Sequence, residues 1–550
     1  MACRLVRPIV PLALAALFGA AAAARADDYP RDPRIDLLHY DFALTLVDEH
    51  DTIEGVTTAL VRFVEPGVDA FTLDLIGRSE EKGTGMVVRS VEAADGAPID
   101  FTHNDDRLTI RPGGANGAND ERAFIIRYEG TPADGLIISE NKYGERTFFA
   151  DNFPNRARHW LPTLDHPHDK ATCSFTITAP DRFQVVANGR LVEETDAPGP
   201  APRTTVWRET TPISTYLMVI GVAEFATRHA GEVDGVPVQI WVYARDREPG
   251  FVDFGETWKP MSLFTTHIGP FPFDKIAHVQ SRTRYGGMEN ASAIFYSENA
   301  VTGGRSIDSL IAHELAHQWF GDAVTVADWN HVWLSEGFAT YLAHVYFEWT
   351  EGRDRMVVGL ERDRGRIVGY ARQAPGFAVV DERIGVDDIL STNSYQKGSW
   401  VLHMLRREIG DDTFWRGLRE YYARHRNGSV LTDDFRRAME RASGEDLRWF
   451  FDQWIFQAGH PKLEMEWTTN PATNELVVTV RQTQEEPPFR ATLEIGWTDA
   501  DGRAHVETMT LDGRSTTVSF ACDTPPVSVR LDPNTWLLYE DAAMNGGEDR

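Results

Sequence analysis

Hydrophobic and polar residues alternate with a period of two over residues 40–47, 59–64 and 173–178, the pattern of half-buried β-strands. Turn-forming clusters such as Pro112-Gly113-Gly114-Ala115-Asn116-Gly117 separate these runs, and Asp196-Ala197-Pro198-Gly199-Pro200-Ala201-Pro202 reads as a loop. Residues 29–225 therefore predict an antiparallel β domain. From about Glu232 the period lengthens to that of amphipathic helices, over residues 258–268, 308–320, 334–349, 356–371, 394–408, 412–424 and 433–442. A strand at 276–281 belongs to the same block, which Gly459-His460-Pro461 closes. Alternation returns at 463–467, 476–480 and 493–497, with Asp501-Gly502 and Asp512-Gly513 as hairpin turn signals. The expected fold class is multidomain α+β. A β domain spans 27–230, a mainly helical domain 231–458 and a small β sandwich 459–540, with 541–550 a flexible tail.

The first 26 residues do not fit that scheme. Arg4 and Arg7 form a basic start, residues 9–24 are apolar and alanine-rich, and Ala24-Arg25-Ala26 matches a small-residue cleavage site. Residues 1–26 thus predict a signal peptide and an exported protein, periplasmic or secreted. No integral membrane segment is expected after its removal, because no later run is long and apolar enough to span a bilayer. Cys3 would leave with the signal. Cys173 and Cys522 remain; pairing and burial as free thiols both stay open, and a cysteine metal site is excluded by count. A net charge of −28 argues against nucleic acid, whose phosphates such a surface repels. It serves solubility first, and it also suits substrates that bring a positive charge, such as peptides with a free N-terminus.

Candidate chemistry concentrates in His313-Glu314-Leu315-Ala316-His317. Histidines at i and i+4 share one helix face, so both rings can reach one metal ion. A Zn²⁺ ion with three protein ligands keeps a fourth position for water, and Glu314 stands where it can take a proton from that water. Glu336, with 18 residues between it and His317, is the candidate third ligand. It opens a second predicted helix, in which Gly337 would let another backbone come close. Ser306 or Asp308 can cap the first helix, and Leu310, Ile311, Leu315, Ala316, Trp319 and Phe320 give it a wide apolar surface. Gly286-Gly287-Met288-Glu289-Asn290 follows the strand at 276–281. Its glycines admit an extended peptide against the backbone, and Glu289 can bind a free amino group. Asn290-Ala291-Ser292 is also a formal glycosylation sequon, implausible as a modified site inside such a segment.

Together these segments resemble the aminopeptidase N family of zinc gluzincins, which also includes the leukotriene hydrolase. The family pattern is a Gly-x-Met-Glu-Asn segment, an HExxH-x18-E zinc motif and a tyrosine-x-lysine-glycine segment. Here these are Gly286-Gly287-Met288-Glu289-Asn290, His313-Glu314-Leu315-Ala316-His317 with Trp333-Leu334-Ser335-Glu336-Gly337, and Tyr395-Gln396-Lys397-Gly398. Gly287 stands where alanine is usual and Ser335 where asparagine is frequent. The resemblance implies a thermolysin-like catalytic domain holding one Zn²⁺ on His313, His317 and Glu336. It implies Glu314 as general base, Tyr395 as donor to the oxyanion, and Gly286, Gly287, Met288, Glu289 and Asn290 as substrate-binding residues, with Glu289 on the α-amino group. The implied activity is zinc-dependent removal of the N-terminal residue from peptides. The chain has the three-domain form, without the family's C-terminal helical domain, which implies a cleft open to larger peptides. The family also brings a second polar residue from the β domain to the amine. Phe153 falls at that place, so Asp151 or Asn152 substitutes or the contact is missing. A zinc endopeptidase would cut blocked peptides, which Glu289 argues against. A non-catalytic peptide-binding scaffold would be expected to lose ligands that this sequence keeps.

Overall fold

In the computed structural model, which describes residues 27–195 and 202–542, alternation is plainest in the strand Ile53–Phe63. Ile53, Gly55, Thr57, Ala59, Val61 and Phe63 are buried there, and the residues between them are not. The expected signal peptide at 1–26, residues 196–201 of the expected loop and residues 543–550 of the expected tail lie outside the described residues. Ile53–Phe63 sits inside a seven-stranded sheet, ordered Arg190–Thr195, Arg203–Ile213, Ala171–Ala179, Ile35–Thr45, Ile53–Phe63, Asp120–Thr131, Gly85–Ala93. Tyr40, Phe42 and Phe175 stack on its buried face with ring centroids 5.3 and 5.1 Å apart. The sheet corrects one expectation, because it is not wholly antiparallel. Ile35–Thr45 runs parallel to Ala171–Ala179, from His39 beside Thr172 to Thr45 beside Thr178. A long excursion of the chain separates these strands, so no tight turn fixes their relative direction.

The next sheet carries the site. Its order is Phe225–Val233, Val236–Tyr243, Ile276–Ser281, Ala293–Ser297, Gly287–Met288. Phe225–Val233 runs through the expected division at 230/231 and pairs within this sheet. Ile276–Ser281 is parallel to both neighbours and buried at every position, because the sheet is covered on both faces. Gly287–Met288 is an edge strand, antiparallel to Ala293–Ser297.

The helices are α1 (Arg247–Asp253), α2 (Trp258–His267), α3 (Asp308–His317), α4 (Trp333–Glu351), α5 (Arg353–Gln373), α6 (Gly398–Ile409), α7 (Asp411–His425), α8 (Thr432–Ser443) and α9 (Arg448–Phe451). Each helical stretch predicted from periodicity corresponds to one of α2 to α8. Two details differ. Neither Ser306 nor Asp308 caps α3; Ile307 precedes it, and Asp308 lies in the first turn, where its charge still favours the helix dipole. The stretch expected as one helix at 394–408 begins as a π-helical turn, Asn393–Lys397, before α6. Helices α3 and α4 lie antiparallel, since Ser335 meets His317 at one end and Tyr346 feels the charge of Asp308 at the other. A Cβ on Gly337 would stand 3.0 Å from the Gly398 backbone, so α4 and α6 do approach as closely as the glycine suggested.

The C-terminal region packs a four-stranded sheet (Ser515–Ala521, Glu475–Gln482, Lys462–Asn470, Glu540–Asp541) with a three-stranded one (Ala504–Leu511, Ala491–Asp499, Pro526–Leu531). Asp501-Gly502 closes a hairpin as predicted. Asp512-Gly513 does not: the strand before it pairs in one sheet and the strand after it in the other. A turn dipeptide reverses the chain without choosing the partner of the next strand. Ion pairs Arg372–Glu540 (2.6 Å) and Arg407–Glu494 (2.9 Å) fasten this region to the helices. Cys173 and Cys522 are both buried free thiols. Among the described residues no helix is long and apolar enough to cross a membrane.

Candidate active site

His313 and His317 leave α3 on one face, and Glu336 meets them from the first turn of α4. The two Nε2 atoms are 3.1 Å apart, and each lies 3.3 Å from Glu336 Oε2. Around a tetrahedral zinc ion with bonds near 2.0–2.1 Å, ligand atoms stand about 3.3–3.4 Å from one another. The triangle therefore fits zinc. Glu336 Oε2 is buried without a hydrogen bond of sound geometry, as suits an oxygen placed for a cation. His317 Nδ1 lies 3.2 Å from the Phe320 carbonyl and 3.0 Å from Ser335 Oγ, which directs Nε2 to the centre. Burial opposes the charge on Glu336, yet His317 and the contacts of both imidazoles hold its carboxyl at about 2. Burial likewise opposes a positive His317, but Glu289 and Glu336 pull it up to about 10. The surroundings call for positive charge at this point, and a divalent cation supplies it in place of the proton.

The triad lies in a cleft of about 530 Å³ lined also by Gly286, Gly287, Met288, Glu289, Glu314 and Tyr395. Donor atoms of Glu289, Glu314 and His317 all come within 4.8 Å of one another. Burial raises the carboxyls of Glu289 and Glu314, and Glu336 adds repulsion to each. A buried carboxylate such as Glu289 is stabilised by an incoming cation, which is what a peptide ammonium is. Glu314 leans on the edge strand: a Cβ at position 287 would meet its Oε1 at 2.3 Å, so glycine makes room for this carboxylate. Tyr395, on the π-helical turn, donates its Oη to Glu336 Oε1 at 2.8 Å, and its ring lies 6.0 Å from that of His313. Burial and the charge of Glu336 raise the phenol far above its ordinary range, so it stays a proton donor.

Residues 37–217 match the family profile described as "Peptidase M1 N-terminal domain", and residues 256–454 match "Peptidase family M1 domain". The chain belongs to peptidase family M1. Among M1 relatives, "Aminopeptidase M1" of Arabidopsis thaliana is 29% identical over 343 residues, covering 57% of this chain and 38% of that one. "Aminopeptidase N" of Streptomyces lividans is 27% identical over 549 residues, covering 92% of this chain and 61% of that one. The chain thus spans less than two thirds of the length of these relatives. The solved M1 zinc metallopeptidase of Deinococcus radiodurans is 25% identical with a TM-score of 0.65, over 76% of this chain and 93% of that one.

Set on the M1 framework, the residues expected at the site are gathered with one exception. Asn290 is fully buried and lines no part of the cleft, because its carbonyl closes a turn with the Ala293 N–H. That burial also shuts the glycosylation sequon away from solvent. Neither Asp151 nor Asn152 lines the cleft in the place expected of a second polar residue at the amine. Asp151 is consumed by Arg156, Thr283 and the Arg284 N–H. Asn152 holds the Met218 carbonyl at 2.7 Å and the Trp160 indole at 2.9 Å. Phe153 lines the cleft instead and packs edge-on against Trp329 at 5.1 Å. The sequence reading did not single out Gln318, which fastens the edge-strand turn to the zinc helix. Nor did it single out Arg362 and Arg366, which line the far end of the cleft. Gln318 stood beside a ligand histidine; the two arginines gave only an i, i+4 spacing on an otherwise charged helix.

Proposed function

We propose that this protein is a zinc-dependent aminopeptidase that removes the N-terminal residue from peptides. One observation carries the reading: a single cleft places the buried Glu289 carboxylate beside His317 and Glu314, within one residue's reach of the His313–His317–Glu336 triangle. A carboxylate so placed selects a free ammonium and leaves the first peptide bond at the centre. Zinc bound at the triad supplies a Lewis acid and eases the deprotonation of water. Gly287 and Met288, on the sheet edge, hold the substrate backbone extended. Glu314 takes the proton of the attacking water and passes it to the leaving amine. Tyr395 Oη, already protonated and aimed at the centre, donates to the developing charge on the carbonyl oxygen. The missing second amine contact leaves Glu289 as the main reader of the ammonium.

Hydrolysis of aminoacyl-coumarins beside their N-acetylated forms, with and without chelator and zinc add-back, tests the reading. The expected result is chelator-sensitive cleavage of the free-amine substrates alone. Equal cleavage of the acetylated forms would point to the endopeptidase alternative. We also infer export from the pattern at residues 1–26, with Asp27 as the first residue of the mature chain by N-terminal sequencing.

A further inference from the structure

The cleft continues past the triad, away from Glu289. Along α4, Thr340, Ala343 and His344 follow Glu336 on the cleft wall. His344 lies eight residues on, about 12 Å by helical rise. Because α3 is antiparallel to α4, this direction leads toward the start of α3, whereas Glu289 stands beside His317 at its other end. The two regions therefore flank the triad from opposite sides.

Helix α5 folds back on α4 and delivers positive charge to this far end. His344 Nε2 meets the Asp363 carboxylate at 2.8 Å, and Arg362, just before Asp363, and Arg366, three residues after it, line the cleft about one helical turn apart. Arg366 keeps a 3.4 Å contact with Asp363 and is 54% exposed. Arg362 is exposed and makes no hydrogen bond or ion pair among the described residues. Arg362 thus has no side-chain partner among the described residues and Arg366 only the long contact to Asp363, so both guanidiniums are open to a ligand in a cleft walled at its other end by Glu289, Glu314 and Glu336. The cleft is polarised, negative where a peptide's amine would sit and positive beyond the bond to be cut.

We propose that Arg362 and Arg366 form a recognition site for a substrate carboxylate on the leaving-group side. An extended peptide advances about 3.3–3.6 Å per residue. With the reach of an arginine side chain, the carboxylate falls two or three residues past the scissile bond. The C-terminus of a short peptide and an aspartate or glutamate side chain share that chemistry. Guanidinium binds either one in the same forked way. The proposal rests on the aminopeptidase reading for the direction in which the substrate lies.

Kinetics on Ala-Ala-Ala, its C-terminal amide and Ala-Ala-Asp-amide test it on the zinc-loaded protein. The expected result is a KM for the free acid about tenfold below that of the amide, an advantage that shrinks to less than twofold in the double variant Arg362→Glu/Arg366→Glu. A low KM for Ala-Ala-Asp-amide assigns the site to side chains as well; a high one assigns it to the C-terminus. Equal KM for acid and amide in the wild type, or a preference that survives in the double variant, overturns the proposal. If the protein cleaves no aminoacyl-coumarin, it is the aminopeptidase reading that has failed. Calorimetric binding of the acid and the amide then decides the arginine site by itself, with equal affinity overturning it.

Discussion

The side-chain amide of Gln318 donates to the main-chain carbonyl of Glu289 at 2.6 Å. The same nitrogen reaches Asp322 Oδ2 at 2.8 Å, and the amide oxygen accepts the Ser292 N–H at 2.8 Å. The residue that follows His317 thus sets where the Glu289 carboxylate, the proposed reader of the amine, stands. Gln318→Leu should raise KM for aminoacyl-coumarins about tenfold with a smaller effect on kcat. It should also cost about 1–3 kcal/mol of stability, because buried partners are left unpaired. Steady-state kinetics and thermal unfolding of the same sample check both.

Tyr395→Phe removes one donor and little volume. The expected outcome is a fall in kcat of about 10²–10³ with zinc content and KM nearly unchanged. A fall in zinc content instead would assign Tyr395 to holding Glu336 in place.

Glu314→Gln keeps the shape of the side chain and removes its basicity. Turnover should drop by about 10²–10⁴ while metal analysis still finds one zinc per chain. Wild-type turnover would refute the general-base role.

Chelation should destabilise the whole molecule. Glu289, Glu314 and Glu336 then have only a protonated His317 in place of a divalent cation, and the binding free energy lost is about 4 kcal/mol for zinc held at a thousand times its dissociation constant. The melting temperature should fall by several degrees with chelator and return on zinc addition.

Asp169 gives stability a pH dependence remote from the site. Burial and the nearby Asp36 push its carboxyl up to about 7, against the Leu37 N–H. Between about pH 4 and 7 the folded protein keeps a proton that the unfolded chain has released, so stability falls as pH rises through that window. Asp169→Asn should lessen this fall by up to a few kcal/mol, read as urea unfolding at about pH 5 and pH 8.

The zinc triangle was legible because helical spacing alone brings His313 and His317 together, and a carboxylate opening the next helix can meet them. The helices were legible for the same reason, since burial repeats with the backbone's own period. What escaped was set by pairing across long separations. The parallel register of Ile35–Thr45 with Ala171–Ala179, and the sheet that Ser515–Ala521 joins, leave no trace in local alternation. The π-helical turn that carries Tyr395 is too short to alter a periodic pattern. Asn290 shares a segment with Glu289 and yet is fully buried, in a turn where its carbonyl accepts the Ala293 N–H. Arg362 and Arg366 resembled any solvated helix face until α5 was seen to border the cleft.

The edge strand Gly287–Met288 has one neighbour in its sheet and faces the cleft on its other side. On the proposed reading, a peptide docks there only as an added strand. An end already wound into a helix or tied into a hairpin must come loose before it can be cut. The edge thereby discriminates by conformation as well as by sequence. The same terminus is trimmed from a denatured chain and spared in a folded one, and the trimming rate of a compact substrate gauges how often its end frays.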